Sequence, residues 1–141
     1  MPYPEMLVSP MRQELTRLGV EELRTADEVE RTLADAPGTT LVVVNSVCGC
    51  AARNARPAVE MALRNPVLPD RSVTVFAGQD VDAAAAARSY FHGYAPSSPQ
   101  IALLKNGDVA MMLERHQIEG RSADEISRDL TEAFARFCGE D

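Results

Sequence analysis

The sequence predicts an α/β fold, a mixed sheet with helices on both faces. Three observations carry that prediction. The run Thr39 to Asn45 is continuously apolar or β-branched, the character of a strand buried on both sides. Strand-like and helix-like segments alternate from there to residue 104. Asn106-Gly107, the strongest two-residue hairpin signal, then joins two short apolar runs ahead of a capped amphipathic helix. In such sheets ligands collect beyond the carboxyl ends of the parallel strands.

In chain order, residues 4–18 place Met6, Leu7, Met11, Leu15 and Leu18 at roughly helical spacing, with Ser9-Pro10 opening the better-formed part and Gly19 ending it. Thr25 followed by Glu28 has capping-box spacing. Val29 and Leu33 stripe the helix it opens, which should stop at Pro37-Gly38. These two helices form an N-terminal extension ahead of the strand over 39–45.

Ala51 to Arg64 reads as a helix with Ala55, Val59 and Leu63 on one face and a kink at Pro57. Residues 65–71 are a loop, 72–77 a second strand, 82–91 an alanine-rich helix and 93–99 a further loop. Gln100 to Leu104 and Asp108 to Leu113 form an antiparallel hairpin. Ser122, with Glu125 three residues on, caps a last helix carrying Ile126, Leu130, Ala133, Phe134 and Phe137 at intervals of three to four residues. The predicted order is α, α, β, α, β, α, β, β, α, within a single domain spanning 1–141.

Fourteen basic against 21 acidic residues give a net charge of −7, spread along the chain, so no nucleic-acid partner is expected. No apolar run approaches the roughly 20 residues that span a bilayer, and the opening MPYPEMLVSPMRQEL lacks the layout of a signal peptide. A cytoplasmic protein with no membrane partner is the expectation. Three cysteines are too few and too odd for a secreted disulfide framework. In a reducing compartment, closely spaced cysteines point to redox or metal chemistry.

Cys48 and Cys50 follow the carboxyl end of the first central strand, and three readings stand open: a redox pair, metal ligands or small core fillers. Residues two apart on a regular helix point to nearly opposite sides. The sulfurs can therefore meet only if Cys48 lies in the loop and Cys50 at the helix start. Thiolates there are stabilised by unpaired N–H groups and the helix dipole, with Arg53 and Arg56 adding to this if they face the sulfurs. Cys48 should be the more exposed and more reactive. A disulfide across one residue closes a smaller ring than a Cys-x-x-Cys bridge, so it should be strained and easily reduced, with Gly49 supplying backbone freedom.

As fillers the cysteines would pack like small hydrophobes, but two sulfurs at a strand-to-helix junction do not readily face one core. A metal site needs three or four ligands, and the remaining candidates, Cys138, His92 and His116, are distant and without motif spacing. No bound cofactor is therefore expected, and a metal-binding module using the same cysteines is the alternative. Neither histidine reads as a catalytic base. Pro99 heads a strand, a position where proline loses no ladder bond.

The segments TTLVVVNSVCGCAA, ARPA, VTVFAGQD, APSSPQIALLK and RHQIEG, in this order over nearly the whole chain, resemble the bacilliredoxin family, bacterial proteins with a Cys-Gly-Cys motif. The resemblance implies a thioredoxin-like fold and a cytosolic thiol–disulfide oxidoreductase. It implies removal of bacillithiol from protein mixed disulfides, with Cys48 attacking and Cys50 resolving. Pro99 would be the family's cis proline facing the disulfide, and Ser98 would offer backbone groups to a bound substrate chain. The implied partners are proteins carrying mixed disulfides, with bacillithiol as co-substrate and a small thiol or a reductase as electron donor. A cysteine near the carboxyl terminus, here Cys138, also occurs in relatives.

Overall fold

A computed structural model describes residues 2–139. Five strands form one sheet: β1 Glu21–Glu22, β2 Thr39–Asn45, β3 Arg71–Phe76, β4 Gln100–Lys105 and β5 Asp108–Leu113. Their order across the sheet is β1-β3-β2-β4-β5. β3 runs parallel to both β1 and β2, β4 pairs antiparallel with β2, and β5 pairs antiparallel with β4. All seven residues of β2 are buried, which is why its sequence shows no polar face.

Six helices cover the sheet: α1 Glu5–Thr16, α2 Ala26–Leu33, α3 Arg56–Ala62, α4 Val81–Arg88, the single turn α5 Arg115–Ile118 and α6 Ala123–Phe137. Alternation along β2 divides the core in two. Leu41 and Val43 pack with Leu15, Val59, Leu130 and Phe134 beneath α1, α3 and α6. Val42 and Val44 pack with Val29, Leu33, Ala84 and Ala87 beneath α2 and α4. Fully burying one such leucine, valine or phenylalanine contributes about 1.5–3 kcal/mol, so apolar burial is the main term holding each layer of helices to the sheet.

The local signals hold where they are chemically specific. Thr25/Glu28 and Ser122/Glu125 each form a reciprocal capping box. Asn106 and Gly107 adopt φ of 52° and 89°, the pair of left-handed residues that a tight hairpin turn requires. The second helix stops at Leu33, before Pro37-Gly38.

Four features depart from the sequence prediction. α1 runs through Pro10 rather than starting there. Its first turn is closed by the Leu7 and Val8 N–H groups on Pro4 O, and Arg12 Nε donates to Glu5 Oε2 at 2.8 Å across the proline. The strand β1 has no apolar pattern of its own. Buried Val20 and Leu23 on either side pin it to the edge of β3, where the Leu23 N–H donates to Thr74 O. α5 is opened by Glu114 and Gln117 in a capping box without serine or threonine. The irregularity expected at Pro57 lies one turn earlier, as a π-helical turn over Ala51–Ala55 closed by the Arg56 N–H on Ala51 O. A proline ring crowds the carbonyl one turn back and offers no N–H, and the wider turn makes room for it.

Candidate active site

The site is built where β2 ends. Pairing of Val44 with Gln100 puts Pro99 level with Asn45, three residues before Cys48. The Ser98-Pro99 peptide is cis, and Pro99 is buried. Asn45 anchors the junction: its Nδ2 donates to Met11 O in α1, and its Oδ1 accepts from the Ser46 N–H and from Arg56 Nη1, both at 2.9 Å.

Arg56 does not face the sulfurs. It is 3% exposed, and it donates through Nη1 to Ser46 O at 2.9 Å and through Nε to Glu14 Oε1 at 3.0 Å. The condition under which Arg56 would add to the stabilisation of a thiolate, that it face the sulfurs, is not met. Arg56 braces α1, the end of β2 and the cysteine loop against one another.

Helical conformation begins at Gly49, so Cys48 lies just outside the helix and Cys50 in its first turn. Cys48 is half-buried and Cys50 is 7% exposed, matching the expected difference in access. The two sulfurs are free thiols 2.8 Å apart. The Ser46 hydroxyl donates to Cys48 Sγ at 3.2 Å and also lies 3.3 Å from the Cys48 N–H.

These contacts separate the two acidities. Burial pushes the Cys48 thiol up, but hydrogen bonds from Cys50, from Ser46 and from the Ala51 and Cys50 N–H groups outweigh it, and the net is a thiol below its ordinary value of 9.0. Burial pushes Cys50 up as well, and its hydrogen bond to Cys48 and the Cys48 charge push in the same direction. The opposing pull of Arg115 and a backbone N–H is smaller, so Cys50 stays above the ordinary value. Desolvation and a like charge disfavour a second thiolate beside the first. Of the two, the outer sulfur is the first to ionise.

Two residues of this site carry no signal in the sequence. Ser46 is a polar loop residue until its hydroxyl is found on the sulfur. Arg115 comes from α5, far along the chain. Its Nη1 donates to Ser98 O at 3.2 Å, its backbone N–H donates to Ser97 Oγ at 3.3 Å, and Nη2 pairs with Glu119. Glu119 first, then the charges on Cys50 and Cys48, raise its already high pKa.

Gly49 also differs from expectation. Its φ does not fall among the positive values. What its missing Cβ provides is space, since a Cβ there would stand 2.7 Å from Arg53 Nη2. Ser98 is half-buried, with its carbonyl engaged by Arg115. His92 and His116 are exposed. Cys138 is half-buried beside Thr39, at the opposite end of β2 from the cysteine pair. Burial chiefly, and Asp70 in addition, hold its thiol up despite Thr39 and Lys105.

Among the described residues, no group of three or more His, Cys, Asp or Glu side chains stands close enough to hold a metal ion. No helix among them is long and apolar enough to cross a membrane.

Comparison with known proteins places these features in a group. The family described as Disulphide isomerase matches residues 3–138. A bacilliredoxin of Bacillus licheniformis is 56% identical over 137 residues, covering 96% of this chain and 95% of its own length. A bacilliredoxin of Koribacter versatilis is 53% identical over 97% of this chain and 94% of its own. Among solved structures, a thioredoxin of Malassezia sympodialis superposes with a TM-score of 0.56 at 18% identity, covering 85% of this chain and 91% of that one. The protein Trxlp of Edwardsiella tarda gives 0.52 at 22% identity, covering 79% and 98%. The fold is thioredoxin-like, with α1, β1 and α2 preceding its central strand β2.

Proposed function

The chain belongs to the bacilliredoxin family of redox proteins, and on that premise we propose that it is a thiol–disulfide oxidoreductase that removes bacillithiol from mixed disulfides on proteins. The observation that carries this reading is the split between the cysteines: an outer, more acidic Cys48 and an inner, less acidic Cys50 with their sulfurs 2.8 Å apart. Such a pair suits attack followed by resolution. The attacking sulfur must be a thiolate and accessible, and the resolving one must stay protonated until it is needed.

In the first step the Cys48 thiolate attacks the small thiol's sulfur in the client's mixed disulfide. A Cys48–S–S–R bond forms, the client S–S bond breaks, and the client sulfur leaves as a thiolate that takes up a proton. Cys50 then gives up its proton and attacks Cys48 Sγ. The small thiol leaves as R–S⁻, and a Cys48–Cys50 disulfide remains. Two electrons pass from the cysteine pair to the client's mixed disulfide. Two molecules of a low-molecular-weight thiol, themselves joined into a disulfide, or a dithiol reductase return them. Ser98 and Pro99 border the pair as the surface on which the client chain lies, and a reducing cytoplasm is where the cycle would run.

The test uses a client protein carrying the small thiol on one cysteine. Cys48→Ala should abolish release of the thiol. Cys50→Ala should complete the first transfer and accumulate the adduct on Cys48, visible by intact mass. An adduct trapped on Cys50 with Cys48 dispensable would reverse the assignment, and release that survives loss of both cysteines would remove it.

A further inference from the structure

The chemistry above asks nothing of Arg53 or Arg115, yet one guanidinium lies against the glycine between the cysteines and the other, held at the Ser97-Ser98 loop, feels the charge of both sulfurs. Arg53 folds back over the glycine between the cysteines, where a Cβ would stand 2.7 Å from Nη2 and 2.9 Å from Nη1. Arg115 comes from the other wall, tied to the loop before Pro99 by its contacts with Ser98 O and Ser97 Oγ. The chain carries a net charge of −7, and these two cations stand on either side of the cysteine loop, one of them paired with Glu119.

Both arginines are exposed. A guanidinium carries five N–H donors in a planar fork suited to carboxylates, and the contacts with Ser98 and Glu119 leave part of Arg115's fork available. Glu119 lies 60% exposed in that ion pair, so an incoming carboxylate can take its place.

We propose that Arg53 and Arg115 clamp a carboxylate of the small thiol, so that the protein selects mixed disulfides of anionic low-molecular-weight thiols over neutral ones. This deepens the oxidoreductase reading and rests on it. A mixed disulfide offers two sulfurs. Attack on the wrong one would join the client to Cys48 and release the small thiol free. A cationic clamp beside Cys48 presents the small thiol's sulfur and leaves the client's as the leaving group.

The test needs two small thiols that differ in charge and not in size. One peptide with a single cysteine is disulfide-linked either to N-acetylcysteine, which is anionic, or to N-acetylcysteinamide, which is neutral. The ratio of the two transfer rates to Cys48 is measured in the Cys50→Ala background, with Arg53→Gln, Arg115→Gln, both together, and Gly49→Ala, which crowds Arg53 off the loop. The ratio cancels any effect on the thiolate or on folding, because both adducts share it.

With both arginines in place the anionic adduct should transfer about tenfold faster, as expected of two charge-assisted contacts at an exposed site. The ratio should fall toward one in the double variant and decline with added salt. A ratio near one with both arginines present overturns the clamp, as does a ratio unchanged in the double variant. So does a preference that follows acidic residues placed in the peptide rather than the small thiol. Transfer of neither adduct would instead sink the oxidoreductase reading, a result distinguishable from equal transfer of both.

Discussion

Replacing Ser46 with alanine removes a hydroxyl that donates to Cys48 Sγ at 3.2 Å and stands 3.3 Å from the Cys48 N–H. A hydrogen bond to a charged acceptor is worth about 1.5–3 kcal/mol. Sulfur is a weak acceptor, and half-buried Cys48 lets water take part of the hydroxyl's place, so we discount this to about 1 kcal/mol, or about fivefold in thiolate population. The sign follows from the site. Cys48 sits below its ordinary value partly because Ser46 favours the charged form, so losing that contact moves its titration to higher pH. Iodoacetamide alkylation of Cys48, followed against pH by peptide mass, should be about fivefold slower in Ser46→Ala at pH below the titration of the thiol. The two proteins should converge at alkaline pH, where both are fully thiolate. Convergence separates an effect on acidity from a disordered loop, which would change the rate at every pH. A profile that stays in place, or moves to lower pH, refutes the assigned role of the hydroxyl.

Two further outcomes follow from the same geometry. Arg56→Ala strands the carbonyl of Ser46, leaves the Oδ1 of Asn45 with the Ser46 N–H alone, and frees partly exposed Glu14. Breaking a fully buried pair costs about 3–5 kcal/mol; discounting for Glu14's exposure, urea unfolding should show a loss of about 2–4 kcal/mol. A loss under about 0.5 kcal/mol would mean that Arg56 is not the brace described. For pH, Glu28 and Glu125 both lie below their ordinary 4.5, held there first by the backbone N–H groups of Arg24 and Ser122 respectively. Their folded values are depressed, so their contribution is complete above 4.5 and is lost as pH falls through the lowered values. The melting temperature should decline below pH 4.5, and Glu28→Gln with Glu125→Gln should flatten that decline. An unchanged slope would show that the capping boxes do not contribute to the acid limb.

The parts of this molecule that could be read in advance were those whose physics is local. β2 announces itself because a strand buried on both faces needs apolar residues at every position. The hairpin turn does so because few residues accept two successive left-handed conformations. The contrast between Cys48 and Cys50 followed from one residue lying before a helix and the other inside it. What escaped prediction depends on residues brought together by the fold. Glu21-Glu22 becomes a strand only because β3 has a free edge and Val20 and Leu23 are buried beside it. Arg56 lies in a helix whose apolar face is Ala55, Val59 and Leu63, and nothing local marks it as buried until Asn45, Ser46 and Glu14 close around it. Ser46 and Arg115 are ordinary polar residues in sequence, and only distance to a sulfur or to the Ser98 carbonyl distinguishes them.

These contacts also change how the N-terminal helix should be regarded. α1 is not an addition to the outside of a finished domain. Met11 O accepts from Asn45 Nδ2, and Glu14 accepts from Arg56 Nε, so two residues of α1 touch the groups that hold Ser46. Ser46 in turn orients its hydroxyl on Cys48. A backbone carbonyl fixed by a buried guanidinium has little freedom, and the side chain on the same residue inherits that rigidity. After the hydrogen bond from Cys50, the acidity of Cys48 therefore depends on a chain of contacts that runs from α1 through α3 to the end of β2, and not on the helix terminus alone. In a small site open to solvent, an oriented hydroxyl outperforms a nearby exposed charge, because water screens the charge and does not screen a direct contact to the same degree. That difference accounts for an arrangement in which the cation nearest in sequence, Arg56, is spent on aiming the loop while the exposed Arg53 and Arg115 remain at its rim.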